Sequence, residues 1–265
     1  MPCAQCGRQN LGDAGLCNDC ATGLEAPPEA SREEAAAPAS RAGSDFVGRQ
    51  HEMGQLKIAL DDALSGQGRL VMLVGEPGIG KTRTAQELAA IAEAQGVQAL
   101  WGWCHEGYGG PPYWPWLHPI RSYIRQHESQ RLYWEMGPGA ADIAEIAPDL
   151  RERLPHLGLS PALEDPEQAR FRLFDSITTF FKNAARTRPM LLILDDLHWA
   201  DKPSLLLLEF VAREVATSPL LIVGPTGTWN SPAATPCQRP LGNWFGYLVS
   251  SGCCCPAWTE TRWDG

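Results

Sequence analysis

The sequence has little positive charge and no long apolar segment, and both absences narrow its possible functions. Its 22 Lys and Arg residues are outnumbered by 31 Asp and Glu residues, which gives a formal net charge of −9. No basic stripe is visible, so a general nucleic-acid surface is disfavoured. An apolar run of about 18 residues and a signal peptide are also missing, so nothing indicates a membrane partner or export. We expect a cytoplasmic protein without direct nucleic-acid binding.

The most specific motif follows a short apolar run. Residues 70–82 read LVMLVGEPGIGKT, and the second half fits G-x-x-x-x-G-K-[ST], the phosphate-binding P-loop. Its glycines let backbone N–H groups turn toward a phosphate at the start of the following helix. We expect Lys81 to reach the β- and γ-phosphates of a nucleotide, and Thr82 to bind Mg²⁺. The nucleotide-binding residues predicted in this segment are Gly75, Glu76, Pro77, Gly78, Ile79, Gly80, Lys81, Thr82 and Arg83.

A second motif places two carboxylates after an apolar strand. Residues 190–196 read MLLILDD, a pattern typical of a buried parallel strand with Asp195 and Asp196 at its C-terminal end. Downstream of a P-loop, such a pair is typical of a Walker B motif. We predict that Asp195 holds Mg²⁺, directly or through water, and that Asp196 orients or deprotonates the attacking water. Lys81 and Asp196 are therefore the predicted catalytic residues.

Four of the nine cysteines form a separate motif at the start of the chain. Two Cys-x-x-Cys pairs separated by ten residues have the spacing of a closed, structural Zn²⁺ site with four thiolate ligands. Two disulfides are the alternative, disfavoured in a chain without an export signal. We predict a zinc ribbon over residues 1–24, followed by an Ala-, Pro- and Glu-rich flexible linker over residues 25–44. The predicted zinc ligands are Cys3, Cys6, Cys17 and Cys20.

Two further patterns resemble a known class of ATPases. The Val47-Gly48-Arg49 box resembles the opening of AAA+ and STAND-class ATPase modules. Residues 195–201, DDLHWAD, are similar to the signature of STAND ATPases in bacterial LuxR-type regulators and cyclase fusions. The resemblance covers residues 46–224 and implies that Val47, Gly48 and Arg49 lie near the nucleotide. It also implies that His198 lies beside the γ-phosphate, as a candidate phosphate sensor.

This resemblance implies an α/β fold of the P-loop NTPase type. It has three layers, α/β/α, around a parallel sheet in which strand 1 lies between strands 5 and 4, with strands 3 and 2 beyond strand 4. Residues 45–224 would form this domain. The strands identified in the sequence are 1 to 4, so we expect the sheet to be incomplete and strand 1 to be an uncovered edge.

The remaining residues, 225–265, lack periodicity and are crowded with Pro, Trp and Cys. Related ATPases continue instead with a Gly-Thr-Tyr-Arg-Asp-like segment, a fifth strand and a lid. Back-translating Gly224 to Pro236 and reading from the third base permits Thr-Tyr-Arg-Asp, so we hypothesise a single-base frameshift near Gly224. The alternative is a real metal-binding or palmitoylated segment around Cys253-Cys254-Cys255. A frameshifted tail would be aberrant and disordered, and without a lid nucleotide turnover would be slow or absent.

The sequence therefore predicts a nucleotide-switch ATPase module of a bacterial signalling regulator. It would bind ATP and ADP with Mg²⁺, in addition to Zn²⁺, and self-association or a protein partner is open. The alternative function is a non-catalytic zinc-ribbon and nucleotide-binding module that acts through protein partners. A small-molecule kinase is a weaker third interpretation, because no acceptor site is recognisable.

Overall fold

A computed structural model describes residues 49–104 and 111–227 and the backbone of residues 247–250. The chain divides between Arg41 and Ala42 into two units, and every described residue belongs to the second. The predicted zinc ribbon and linker, and the tail segments 228–246 and 251–265, lie outside the described residues. The domain boundaries at 24 and 44 therefore stay predictions.

A parallel sheet of five strands forms the centre of the described part. The order is β2-β3-β4-β1-β5, and each neighbouring pair is parallel. The predicted neighbours of strands 1 to 4 are thereby confirmed. The strands are β1 (Arg69–Val74), β2 (Gln98–Trp103), β3 (Met190–Asp195), β4 (Leu220–Thr226) and β5 (Tyr247–Ser250).

Helices cover both faces of this sheet. The described ones are α1 (Gln50–Leu64), α2 (Lys81–Ala94), α3 (Trp114–Gln126), α4 (Ser129–Met136), α5 (Ala140–Ile146), α6 (Asp149–Arg153), α7 (Pro166–Thr187) and α8 (Lys202–Glu214). None of these described helices combines the length and apolar composition that a bilayer span requires.

Strand β3 shows how the layers are built, because all six of its residues are buried. Leu191 and Ile193 belong to the apolar cluster that contains α1 and α2, whereas Leu192 and Leu194 belong to the cluster that contains α3, α7 and α8. Successive side chains of a strand point to opposite faces, so the continuous apolar run serves two cores at once. The predicted three-layer α/β/α fold is confirmed.

The predicted free edge of strand 1 is wrong. Strand β5 pairs with β1 in parallel, from Val71 opposite Tyr247 to Val74 opposite Ser250. Strand β4 also continues two residues beyond Gly224, to Thr226. The physical reason is that an edge strand presents unpaired N–H and C=O groups, which any extended segment can satisfy whatever its side-chain pattern. Residues 247–250 of the predicted tail therefore form a strand, and the disorder predicted for the rest of that tail stays a prediction.

Candidate nucleotide-binding site

The P-loop connects β1 to α2 at the carboxyl edge of the sheet, as its motif predicts. Gly78 and Gly80 have positive φ angles of 77° and 91°, conformations that glycine adopts without steric cost. Gly75 donates its N–H to the carbonyl oxygen of Thr226 at 3.4 Å, which ties the start of the loop to β4. Helix α2 begins at Lys81, so the loop leads directly into a helix N-terminus.

The Lys81 side chain hydrogen-bonds to the backbone at the start of the P-loop. Its Nζ donates to the carbonyl oxygens of Gly75 and Glu76, both at 2.9 Å. These two bonds hold the ammonium over the first residues of the loop, beside the positive end of α2. A phosphate in the loop would meet the ammonium and the backbone N–H groups together.

The two predicted magnesium ligands are brought together. Asp195 ends β3 with only 8% of its surface exposed, and the Thr82 hydroxyl lies near enough to its carboxylate to affect its pKa. Burial raises the pKa of Asp195 above its ordinary value. The nearby Thr82 hydroxyl opposes this shift in the pKa, and the charge of Asp196 reinforces it. A hydroxyl and a carboxylate are hard oxygen donors of the kind that Mg²⁺ accepts, and a buried carboxylate gains most from a cation, so the residues fit this ion.

Asp196 has an unusual backbone for a residue with a side chain. Its φ and ψ are 56° and 38°, in the left-handed region, and its N–H donates to Oδ1 of Asp195 at 2.9 Å. Such conformations cost of order 1 kcal/mol and are held in place by the surrounding structure. The side chain is half exposed, with 50% of its surface open to solvent. Asp196 therefore stands where water reaches the carboxyl edge of the sheet.

Arg49 links the predicted opening box to the P-loop. It precedes α1, also in the left-handed region at a φ of 56°, and its guanidinium donates to the carbonyl oxygen of Ile79. This contact joins residues 30 positions apart in the chain. Val47 and Gly48 lie outside the described residues. The side chain of Arg83 instead pairs with Glu87 along α2, at 3.8 Å.

His198 lies in a single 3-10 turn, Leu197–Trp199, directly after Asp196. Its Nδ1 accepts a hydrogen bond from the backbone N–H of Gly227 at 3.3 Å and lies 4.0 Å from Oδ1 of Asp196. The structure thus brings His198 next to the predicted catalytic carboxylate.

Sequence reasoning missed Thr226. This residue ends β4 between the P-loop strand and the Asp195 strand and is fully buried. Its hydroxyl has no hydrogen-bond partner within the described residues. The signal that could have found it is its place at the carboxyl end of a central parallel strand, where open α/β sheets bind ligands.

The predicted zinc ligands lie outside the described residues, so the ribbon stays a prediction. Across residues 49–104 and 111–227, no group of three or more His, Cys, Asp and Glu side chains is placed to hold a metal ion.

Comparison with known protein families shows which family this chain belongs to. The AAA ATPase domain family matches residues 45–223, more than half of the chain. The chain belongs to this family. As an AAA ATPase domain it carries a site for a nucleotide and Mg²⁺, in agreement with the geometry of Lys81, Thr82 and Asp195.

Individual relatives of this AAA ATPase domain are distant. An uncharacterized protein of Rhizobium meliloti (strain 1021) is 28% identical over 195 residues, which cover 69% of this chain and 18% of that protein. Cdc6p from Pyrobaculum aerophilum aligns with a TM-score of 0.46 and 15% identity over 81% of this chain and 47% of its own. Orc1 of Aeropyrum pernix, in complex with DNA, aligns with a TM-score of 0.38 and 18% identity, covering 76% and 44%. The chain thus spans less than half the length of each of these proteins.

Proposed function

We propose that this AAA ATPase domain binds ATP with Mg²⁺ and hydrolyses it to ADP, and that the two nucleotide states switch a bacterial signalling or transcriptional regulator. The observation that carries the proposal is that Thr82, directly after Lys81 in the P-loop, lies close to the buried Asp195 carboxylate. A metal-bound triphosphate needs a P-loop hydroxyl and an acidic strand end side by side, and this closeness supplies both.

Each side chain has a distinct role in this proposal. Lys81 exchanges its two carbonyl partners for phosphate oxygens, because a charged acceptor forms the stronger bond with an ammonium. Thr82 and Asp195 hold Mg²⁺, which when bound neutralises charge on the phosphates. Asp196 orients the attacking water or takes its proton, and its half-exposed position supports this role.

The contact between Arg49 and Ile79 supports a role for the Val47-Gly48-Arg49 box in nucleotide binding. Through it, Arg49, directly before α1, is bonded to the loop that would hold the phosphates. We propose that the box lies against the nucleotide and that Gly75–Arg83 surround its phosphates. The regulator context rests on the DDLHWAD resemblance of residues 195–201. The partner is ATP, with self-association or a protein partner as further proposals.

Calorimetry with MgATP and MgADP tests nucleotide binding. We expect saturable binding by the wild type and about 100-fold weaker binding by Lys81→Ala, since bonds between charged groups contribute about 1.5–3 kcal/mol. Lys57→Ala is the matched control, because Lys57 is an exposed lysine on α1. Equal binding by wild type and Lys81→Ala would refute a P-loop nucleotide site.

Hydrolysis is measured separately, with protein in excess over ATP so that slow turnover is detected. We expect Asp196→Asn to bind ATP without hydrolysing it.

The paired Cys-x-x-Cys spacing supports a second candidate, a non-catalytic zinc-ribbon and nucleotide-binding module that works through a protein partner. Lys81→Ala distinguishes the two, because it abolishes a switch but leaves partner binding by the ribbon intact. One tightly bound zinc per chain, lost when Cys3 and Cys6 are changed to Ser, is the expected metal analysis. A chain purified without zinc would contradict the ribbon.

A further inference from the structure

The turn that carries the predicted catalytic carboxylate packs directly on β4. A Cβ added to Gly224 would lie 2.6 Å from Cδ1 of Leu197, so this glycine leaves the space that the Leu197 side chain occupies. A Cβ added to Gly227 would lie 3.5 Å from Cγ of His198, an ordinary contact with the imidazole ring. Leu197 thus packs on Gly224 within β4, and His198 packs on Gly227, the residue directly after β4.

One nitrogen of His198 faces two competing groups. The Gly227 N–H donates to Nδ1 at 3.3 Å, and Oδ1 of Asp196 lies 4.0 Å from the same atom. A nitrogen that accepts a hydrogen bond carries no proton, so the neutral ring bears its proton on Nε2. In that tautomer Nδ1 has nothing to donate to Asp196. The Gly227 bond therefore keeps the imidazole from pairing with the carboxylate.

We propose that His198 is a positioning residue for ATP hydrolysis, and that its Nδ1 clamps the turn after Asp196 to the end of β4 so that the Asp196 carboxylate stays free for water. This inference rests on the proposed function and deepens it. It differs from phosphate sensing, which would use the opposite nitrogen, Nε2. The clamp also gives the left-handed backbone of Asp196 a tertiary contact that holds it.

A positioning role for His198 predicts that substitutions there lower the rate of ATP hydrolysis without lowering the affinity for MgATP. The P-loop, Thr82 and Asp195 bind the nucleotide without help from His198, so variants at His198 should keep their affinity for MgATP. Loss of the clamp lets the turn relax and Asp196 move, so the hydrolysis step slows.

Isosteric amides distinguish the two nitrogens. The side-chain oxygen of asparagine lies close to the position of Nδ1, whereas that of glutamine lies close to Nε2. We expect His198→Asn to hydrolyse ATP within about threefold of the wild-type rate, and His198→Gln and His198→Ala to be at least about tenfold slower, the effect of one lost hydrogen bond. Rates are measured with protein in excess over ATP, and affinities for MgATP by calorimetry.

The opposite ranking, with glutamine active and asparagine slow, would overturn the clamp in favour of phosphate sensing. A large loss of MgATP affinity in all three variants would also overturn it. If His198→Ala fails to fold, the comparison between asparagine and glutamine still decides.

Amide hydrogen exchange at Gly227 in nucleotide-free protein tests the contact itself. We expect slow exchange in the wild type and His198→Asn, and at least about tenfold faster exchange in His198→Ala and His198→Gln. Equal exchange in all four proteins would refute the clamp even if ATP is hydrolysed. A wild type that hydrolyses no ATP, yet shows this exchange pattern, would place the failure in the proposed function and not in the contact.

Discussion

At the scale of single residues, Cys104 shows how the buried, acidic carboxyl edge of the sheet raises the pKa of a nearby thiol. It follows β2, is 8% exposed, and donates its N–H to the carbonyl oxygen of Asp195 at 3.1 Å. Burial raises the pKa of the Cys104 thiol well above its ordinary value, and the charges of Asp201, Asp196 and Asp195 raise it further. The native thiol is therefore neutral and poorly nucleophilic, because the thiolate is the reactive form.

Cys104 should lower the stability of the protein at alkaline pH. In the unfolded chain its thiol titrates near about pH 8.5, whereas the native thiol keeps its proton above that pH. Between the two pKa values the native state binds more protons, so the free energy of unfolding falls as the pH rises. We expect urea denaturation of Cys104→Ala to show a shallower fall above pH 8.5, by up to about 1.4 kcal/mol per pH unit. If the free energy of unfolding falls equally steeply with pH in both proteins, the raised pKa of Cys104 is contradicted.

The positions of the predicted catalytic and metal-binding side chains could be read from the sequence because motif spacing encodes them locally. Lys81, Thr82 and Asp195 occupy positions fixed by the loop and by the end of a strand. The bond between Arg49 and Ile79 and the bond between His198 and Gly227 could not be predicted, since each joins residues about 30 positions apart. Such contacts depend on how the elements pack, which no local pattern specifies.

At the scale of elements, β2 and α3 approach each other closely at Gly102, which has no side chain. A Cβ added to Gly102 would overlap the backbone carbonyl oxygen of Pro115 and touch Cδ2 of Leu194 at 3.0 Å. Helix α3 therefore rests directly on the strand, and its fully buried Trp116 donates to the carbonyl oxygen of Ser204 at 3.1 Å. This close packing fastens α3 to the first turn of α8.

Gly102→Ala should destabilise the domain by about 3 kcal/mol, because the overlapping atom is backbone and neither element can yield without moving as a whole. Gly54→Ala is the matched control. Gly54 lies within α1, and apart from its chain neighbours and the backbone of its own helix nothing lies within 4 Å of an added Cβ, so alanine should stabilise the helix by about 1 kcal/mol. Both values follow from urea denaturation. Equal effects of the two substitutions would contradict the close approach at Gly102.

The identity of the elements was more predictable than the completeness of the sheet. Long periodic or apolar segments such as α7 and β3 are specified by their own residues, and the order of the first four strands follows from the P-loop ATPase topology. β5 was missed because four residues without alternating polarity resemble any loop. Its pairing depends on the open backbone groups of β1, a property of the assembled sheet.

At the scale of the whole molecule, β5 determines whether the P-loop strand is an edge or an interior strand. With β5 present, β1 is paired on both sides, by β4 and by Tyr247–Ser250. Without it, an apolar strand that leads into the nucleotide site would expose its N–H and C=O groups, an arrangement that favours association between chains. We therefore expect the tail to affect solubility even though it carries none of the predicted site residues.

Deleting residues 228–265 should expose the β1 edge. We expect the midpoint of thermal unfolding to fall by about 5 °C, because a few backbone hydrogen bonds of about 1 kcal/mol each are lost. Light scattering should also show self-association that grows with concentration. Deleting only residues 251–265 is the control, since it retains β5 and should leave both measurements unchanged. If the longer deletion stays monomeric with an unchanged midpoint, β5 adds nothing to the fold, and the tail is as dispensable as its irregular sequence suggests.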